Sequence, residues 1–234
     1  MNCCIVDCRI SESESLALSK LGLTALLCPR HSNLYAAISS HPDIQIFVHN
    51  KKHLIVQKKL DPLFINQFLE LGIEVTLSEA ELTSEYPHDI ILNCFRLGDL
   101  FVHNLKYTDN KILEALDSTT KKIHVKQGYT KCSTAIVNEG AVITNDIGIA
   151  KALTTEKIDV LYLPHGDIVL EEMNYGFIGG CCGLLDEKNI AFFGSLDKYI
   201  YGKEIKDFLR KHKVEYHYLM DEKLTDRGSL LMIY

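Results

Sequence analysis

The chain repeats one supersecondary unit, and that repetition limits its folds more than any other feature. Four segments read as β-hairpins, apolar or alternating runs around a polar turn. They are IQIFVHNKKHLIVQ (44–57), IILNCFRLGDLFVHN (90–104), TAIVNEGAVIT (134–144) and CGLLDEKNIAFFG (182–194). A fifth, SLLMIY (229–234), ends after one strand. Taking Pro42, Pro87, Tyr129, Tyr175 and Leu224 as equivalent entry points, the numbers give steps of 42 to 49 residues. Regular steps of that size point to stacked copies of one unit rather than a continuous doubly wound sheet.

Between the hairpins the pattern is helix, sharp stop, short strand. Ser11 and Glu14 form a capping box, and the helix they open stops at Gly22. Asp61-Pro62 supplies a cap followed by an N1 proline, with a stop at Gly72. Asp146 reads as a third cap, and Ile205, Phe208, Leu209 and His212 carry helical spacing in the last unit. The exits echo one another: LGLTALL, LGIEVTL, KKIHVKQ, EKIDVLYL and HKVEYHYL. The N-terminal strand expected over 2–10 pairs with 229–234, which removes a free sheet edge and ties down both ends. With no linker or low-complexity tract, residues 1–234 read as a single domain.

Composition narrows the function classes. Net charge is −6, and the densest basic run, Arg210-Lys211-His212-Lys213, sits at a helix end where cations suit the dipole. A nucleic-acid partner needs a longer basic stripe and is not expected. The chain lacks 18 consecutive apolar residues, so no membrane span is expected. Its first residues, MNCCIVDCRI, read as a strand rather than a secretion signal, which makes a cytoplasmic location the expectation. The eight cysteines then stay reduced, and without a CxxC pair they suggest no metal site.

On these repeats the chain resembles the penteins, the five-bladed α/β propellers of arginine and agmatine deiminases, dimethylarginine hydrolases and amidinotransferases. The segment YGFIGGCCGLLDEKNIAFFGS (175–195) is similar to the hydrolase stretch that carries the catalytic histidine. The resemblance implies a five-bladed α/β propeller closed by pairing of the terminal strands. It also implies a thiolate nucleophile at the last hairpin entry, a histidine for proton transfer and carboxylates for the guanidinium. The matching positions here read Leu224-Thr225-Asp226-Arg227-Gly228-Ser229-Leu230, Phe177-Ile178-Gly179, Asn93-Cys94 and Thr130-Lys131-Cys132-Ser133. The usual cysteine and histidine are missing. The resemblance is therefore to a subgroup of the fold, bacterial in origin, without that pair.

Hairpin entries should face the central axis, so their polar residues are the site candidates. Lys131 lowers the pKa of a neighbouring Cys132 thiol or holds an anionic ligand. On a regular strand, however, adjacent residues face opposite sides. Gly179 and Gly180 allow close backbone approach before Cys181, or form a simple bulge. His41 and Asp43 read as an acid–base pair or as a turn before a strand. Asn93 and Ser229 complete the ligand-binding set. Asp226 reads either as the ion-pair partner of Arg227 or as a ligand contact, and Arg96, by a hairpin tip, as a solvated side chain.

Three readings stand. The first is a protein that binds a small polar metabolite in a central pore without deiminase chemistry. The second is a hydrolase or amidinotransferase using Cys132 or Cys181 with His41 as base. The third is a non-enzymatic interaction module. None calls for a cofactor or metal, and the sequence gives no oligomeric state.

Overall fold

A computed structural model describes residues 2–233. The first strand, β1 (Asn2–Asp7), is followed by α1 (Glu12–Lys20) and β2 (Leu23–Cys28). The second unit holds a single helical turn α2 (Pro42–Gln45), then β3 (Ile46–Asn50), β4 (His53–Val56), α3 (Pro62–Glu70) and β5 (Glu74–Leu77). The third holds β6 (Phe95–Leu97), β7 (Leu100–His103), α4 (Asn110–Ala115) and β8 (Lys121–His124). The fourth holds β9 (Thr134–Asn138), β10 (Ala141–Thr144), α5 (Ile147–Thr155) and β11 (Asp159–Tyr162). The last contains β12 (Cys182–Asp186), β13 (Asn189–Phe192), α6 (Gly202–Lys211), β14 (Glu215–Tyr218) and the short β15 (Leu231–Met232).

Among the described residues these strands make five separate three-stranded sheets, and no sheet closes on itself. Four sheets have the same grammar. An antiparallel hairpin leads into a helix, which returns a third strand parallel to the hairpin's second. The fifth has that grammar too, but its hairpin-like partner comes from the other end of the chain. β15 pairs antiparallel to β1, with Cys4 opposite Met232 and Ile5 opposite Leu231. β2 lies parallel to β1. Tyr234 of the expected last strand lies outside the described residues.

Local chemistry sets these boundaries. Ser11 accepts from the Glu14 N–H while the Glu14 carboxylate takes the Ser11 N–H, so both ends of the capping box are made. Asp61, Asp109 and Asp146 each accept from a backbone N–H in the first turn of α3, α4 and α5. Gly22 and Gly72 end α1 and α3 at φ +75° and +73°, a region that costs a side chain strain. β1 is shorter than expected because the Asp7 carboxylate turns back to the Arg9 N–H at 2.7 Å, an Asx turn. The first hairpin also starts later than expected. Pro42 opens a helical turn, which delays the strand to Ile46. In the third unit, turn hydrogen bonds from Asn93 to Ile90 and from Cys94 to Leu92 hold 90–94 out of the ladder.

Helices pack on the sheets, α1 against β2, α3 against β5 and α5 against β11, and buried apolar side chains cluster between neighbouring units. One cluster joins Ile143, Ile190, Phe192 and Leu209 of the last two units, and another joins Phe47, Ile55 and Phe101. β12 packs against both β9 and β15, and β3 against β6, so first strands of the hairpins lie side by side. That arrangement brings the five hairpin entries together. Among the described residues, no helix is long and apolar enough to cross a membrane.

Candidate functional site

One residue or more from the entry to each of the five sheets meets in a single buried network. Asp43 lies in the helical turn α2, Asn93 in the turn before β6, and Lys131 and Cys132 in the turn before β9. Gly179 lies in a short 3₁₀ turn before β12, and Ser229 just before β15. The Ser229 hydroxyl is 2.6 Å from Asp43 Oδ2 and 2.8 Å from the Gly179 carbonyl oxygen. Lys131 Nζ donates to that hydroxyl at 2.8 Å and to the Gly179 carbonyl at 3.4 Å. The Cys132 thiol donates to Asp43 Oδ2 at 3.2 Å.

Asn93 ties the network to the backbone. Its side-chain oxygen accepts from the N–H groups of Lys131 at 2.9 Å and Cys132 at 3.2 Å. Its amide nitrogen donates to the Asp43 carbonyl at 2.9 Å and to the Cys132 sulfur at 3.0 Å. Lys131 and Cys132 therefore reach the same site although they are neighbours in sequence. The expected separation onto opposite faces fails because residues 129–133 form a turn, with the Ser133 N–H bonded to the Tyr129 carbonyl. Ser229 sits at φ +70°, a strained conformation for a residue with a Cβ.

A second row of buried groups runs beside the first. The His41 ring lies between two carboxylates, its Nε2 3.8 Å from Asp7 Oδ2 and its Nδ1 3.8 Å from Asp226 Oδ1. Neither ring nitrogen has a hydrogen-bond partner among the described residues, and Asp43 Oδ1 is likewise unpaired. His41 thus faces Asp7 and Asp226 rather than the Asp43 of the acid–base reading. Residues 41–45 make a turn before β3, the other reading, which sends residues 41 and 43 in different directions. Asp7, which the sequence reading passed over, stands at the C-terminal end of a fully apolar strand stretch. There a buried carboxylate must find partners. It takes a bidentate ion pair with Arg9 and the Ser40 hydroxyl at 2.7 Å.

Asp226 does not pair with Arg227. Its oxygens accept from the N–H groups of Phe177 at 2.8 Å and Gly228 at 3.0 Å, while Arg227 reaches the buried Glu14 at 3.4 Å. Gly180 is required at this point: a Cβ there would collide with the Asp226 carboxylate. At Gly179 a Cβ would collide with the Lys131 and Thr134 backbone. The glycine pair is thus a close-approach turn rather than a strand bulge.

The electrostatics divide the carboxylates and thiols. Burial raises the Asp226 carboxyl above the usual range, with Asp43 adding to the rise and His41 opposing it. At Asp7 burial pushes upward, but hydrogen bonds from Arg9 and Ser40 and the nearness of His41 outweigh it, so its carboxyl is held low. Burial drives the Cys132 thiol well above its ordinary value, and the Asp43 and Asp226 charges push the same way. The Cys181 thiol is also raised by burial and by Asp226. Cys181 and Cys182 donate to the carbonyls of Phe177 and Ile178 and lie in the apolar core rather than in the network. Among the described residues, no group of three or more His, Cys, Asp or Glu is placed to hold a metal ion.

Next to the network lies a cavity of about 200 Å³. All five sheets contribute to its wall, through Phe47, Phe95, Ile136, Leu184 and Met232. Arg96 and Lys131 also line it. Arg96 is therefore not the solvated hairpin-tip side chain that sequence suggested, because β6 is short and its middle residue points inward.

The same architecture occurs in guanidine-modifying enzymes of low sequence similarity. The inosamine-phosphate amidinotransferase StrB1 from Streptomyces griseus is 12% identical, with a TM-score of 0.60 over 94% of this chain and 78% of that one. A DDAH mutant from Pseudomonas aeruginosa, complexed with citrulline, is 11% identical, with a TM-score of 0.56 over 94% of this chain and 91% of that one. The agmatine deiminase of C. jejuni is 12% identical, with a TM-score of 0.53 over 92% of this chain and 74% of that one. These likenesses show the pentein fold. Curated proteins yield no match by sequence. A family model spanning residues 5–231 does match, and the chain belongs to that family of unknown function, DUF6873.

Proposed function

We propose that this protein is a one-domain, five-bladed pentein that binds a small polar metabolite at its centre and does not carry out cysteine-dependent guanidine chemistry. The observation that carries the reading is the convergence of Asp43, Asn93, Lys131, Gly179 and Ser229, one from the entry to each sheet, beside a cavity that all five sheets line. Pockets of this kind, mostly apolar with a few convergent polar groups, are the usual form of small-molecule sites. Strain at Ser229 supports it, since strained residues persist where surrounding structure over-determines them.

The thiol arrangement opposes the enzymatic alternative. A nucleophilic cysteine needs its thiolate, which an adjacent cation or helix N-terminus stabilises. Cys132 faces a carboxylate instead, and both it and Cys181 are fully buried with raised pKa. His41 lies against Asp7 and Asp226, with no hydrogen bond to either thiol.

Two measurements test the reading. A thermal-shift panel of amino acids, guanidino compounds and small carboxylates should contain a saturable hit, and a panel without one removes the metabolite reading. Alkylation with iodoacetamide near neutral pH should modify Cys8 first, since it is the one cysteine among the described residues that is not buried. If Cys132 or Cys181 reacts fastest and a hit from the panel protects it, the protein is a thiol enzyme.

A further inference from the structure

Taking the metabolite reading as its base, we infer that the ligand of the central cavity is a small organic carboxylate with a compact apolar body, its charge held by Arg96 with help from Lys131. The charge pattern is the first support. The protein carries a net charge of −6, yet among the described residues the only charged side chains lining this cavity are two cations. The other residues that line it are apolar, a glycine, Cys94 and Cys182.

Both cations have donors to spare. Arg96 makes one long hydrogen bond, 3.4 Å to the His49 carbonyl, and its nearest carboxylate is that of the well-exposed Asp117 at 4.0 Å. A guanidinium offers five N–H donors in a planar fork that matches a carboxylate. Lys131 spends two donors, on Ser229 and Gly179, and its countercharge Asp43 stands one hydroxyl away. A half-buried guanidinium in apolar surroundings gains from a carboxylate that enters with it.

Size and lining fix the remainder of the ligand. A dry cavity of about 150 Å³ accepts benzene, so about 200 Å³ suits a body of six or seven carbon atoms. The apolar side chains Phe47, Phe95, Ile136 and Leu184 favour a branched or aromatic body over a polyhydroxylated one.

The test uses matched pairs. Benzoate and 3-methylbutanoate are titrated against the full chain by calorimetry beside benzamide and 3-methylbutanamide, which keep the shape and lose the charge. Carboxylates should bind at least tenfold more tightly than their amides, and Arg96→Gln should remove most of that preference. Because Arg96 makes only one long hydrogen bond and a 4.0 Å ion pair, and Gln keeps much of its stem, this variant should keep an unfolding midpoint near that of the wild type. Lys131→Gln should weaken binding less, and its fold is checked by circular dichroism. Equal binding of amides and carboxylates overturns the inference, as does carboxylate binding that ignores Arg96→Gln. If arginine or agmatine binds and carboxylates do not, the charge class is wrong while the metabolite reading survives. If none of these compounds binds, both fail.

Discussion

The centre of the molecule holds two rows of buried polar groups that differ in how completely they are satisfied. Around Asn93 every donor and acceptor of the side-chain amide is matched, at 2.9 to 3.2 Å. Around His41 the nearest carboxylate oxygens stand at 3.8 Å on both sides, and neither ring nitrogen is paired. Both residues are buried to the same degree, so exposure does not separate them. The difference teaches what each row does. A saturated hub such as the Asn93 amide fixes the relative positions of units and costs heavily to break, even with Asp43 Oδ1 beside it unpaired. A residue with unmatched groups, such as His41, is held in place by the packing of its neighbours.

The largest expected effect tests the saturated row. Asn93→Ala leaves the Cys132 N–H and the Asp43 carbonyl without these partners, while the Lys131 N–H keeps the Asn93 backbone carbonyl at 3.2 Å. Each such buried group costs about 1–3 kcal/mol, and relaxation returns part of it, so a loss of about 3 kcal/mol is expected in urea unfolding. His41→Leu, similar in volume, should cost about 1 kcal/mol, because Asp7 keeps Arg9 and Ser40, and Asp226 keeps two backbone N–H groups. Equal losses at the two positions would abolish the distinction between the rows.

The next effect concerns Asp7, where the unmatched row meets a strong ion pair. Its folded carboxyl is held below the ordinary value of 3.8. A depressed carboxyl contributes stability that is present above the unfolded value and lost as pH falls through the folded one. Asp7→Asn should therefore cost about 2 kcal/mol at neutral pH, less as the medium is acidified, and little once the wild-type carboxyl is itself protonated. A penalty that stays constant across acid titration would show that Asp7 acts through shape rather than charge.

How far the molecule could be read from its sequence follows the same division. Caps at Ser11, Asp61 and Asp146, stops at Gly22 and Gly72, and the hairpin at residues 134–144 depend on neighbours in the chain, and local signals located them. The repeat spacing then implied that the hairpin entries converge. Positions inside the centre were legible only as far as unit equivalence reached: Asp43, Asn93, Lys131, Cys132, Gly179 and Ser229 do meet. Partnerships were not legible, because they depend on turns of three to five residues whose direction no periodicity encodes. The turn at 129–133 brings Lys131 and Cys132 to one site against strand alternation. Asp226 leaves its sequence neighbour Arg227 for Phe177 and Gly228. Asp7 and Arg96 carried no motif; only the inward course of short strands reveals them.

Asp226 gives the smallest and most discriminating test of the comparison. It belongs to the unmatched row, but two backbone N–H groups hold it, and burial raises its folded carboxyl above the unfolded value of 3.8. The sign is opposite to that of Asp7. A raised carboxyl favours the protonated form in the folded state, so its contribution to stability is greatest at low pH and falls as pH rises through the folded value. Asp226→Asn stays neutral throughout and escapes that fall, although it loses one of the two acceptors. Relative to wild type, the variant should thus gain about 1 kcal/mol on going from acid to neutral pH, whatever its absolute stability. Unfolding curves at four or five pH values measure the slope directly. A flat difference would mean that burial does not raise the Asp226 carboxyl, and the opposite signs of Asp226 and Asp7 would be lost as a contrast.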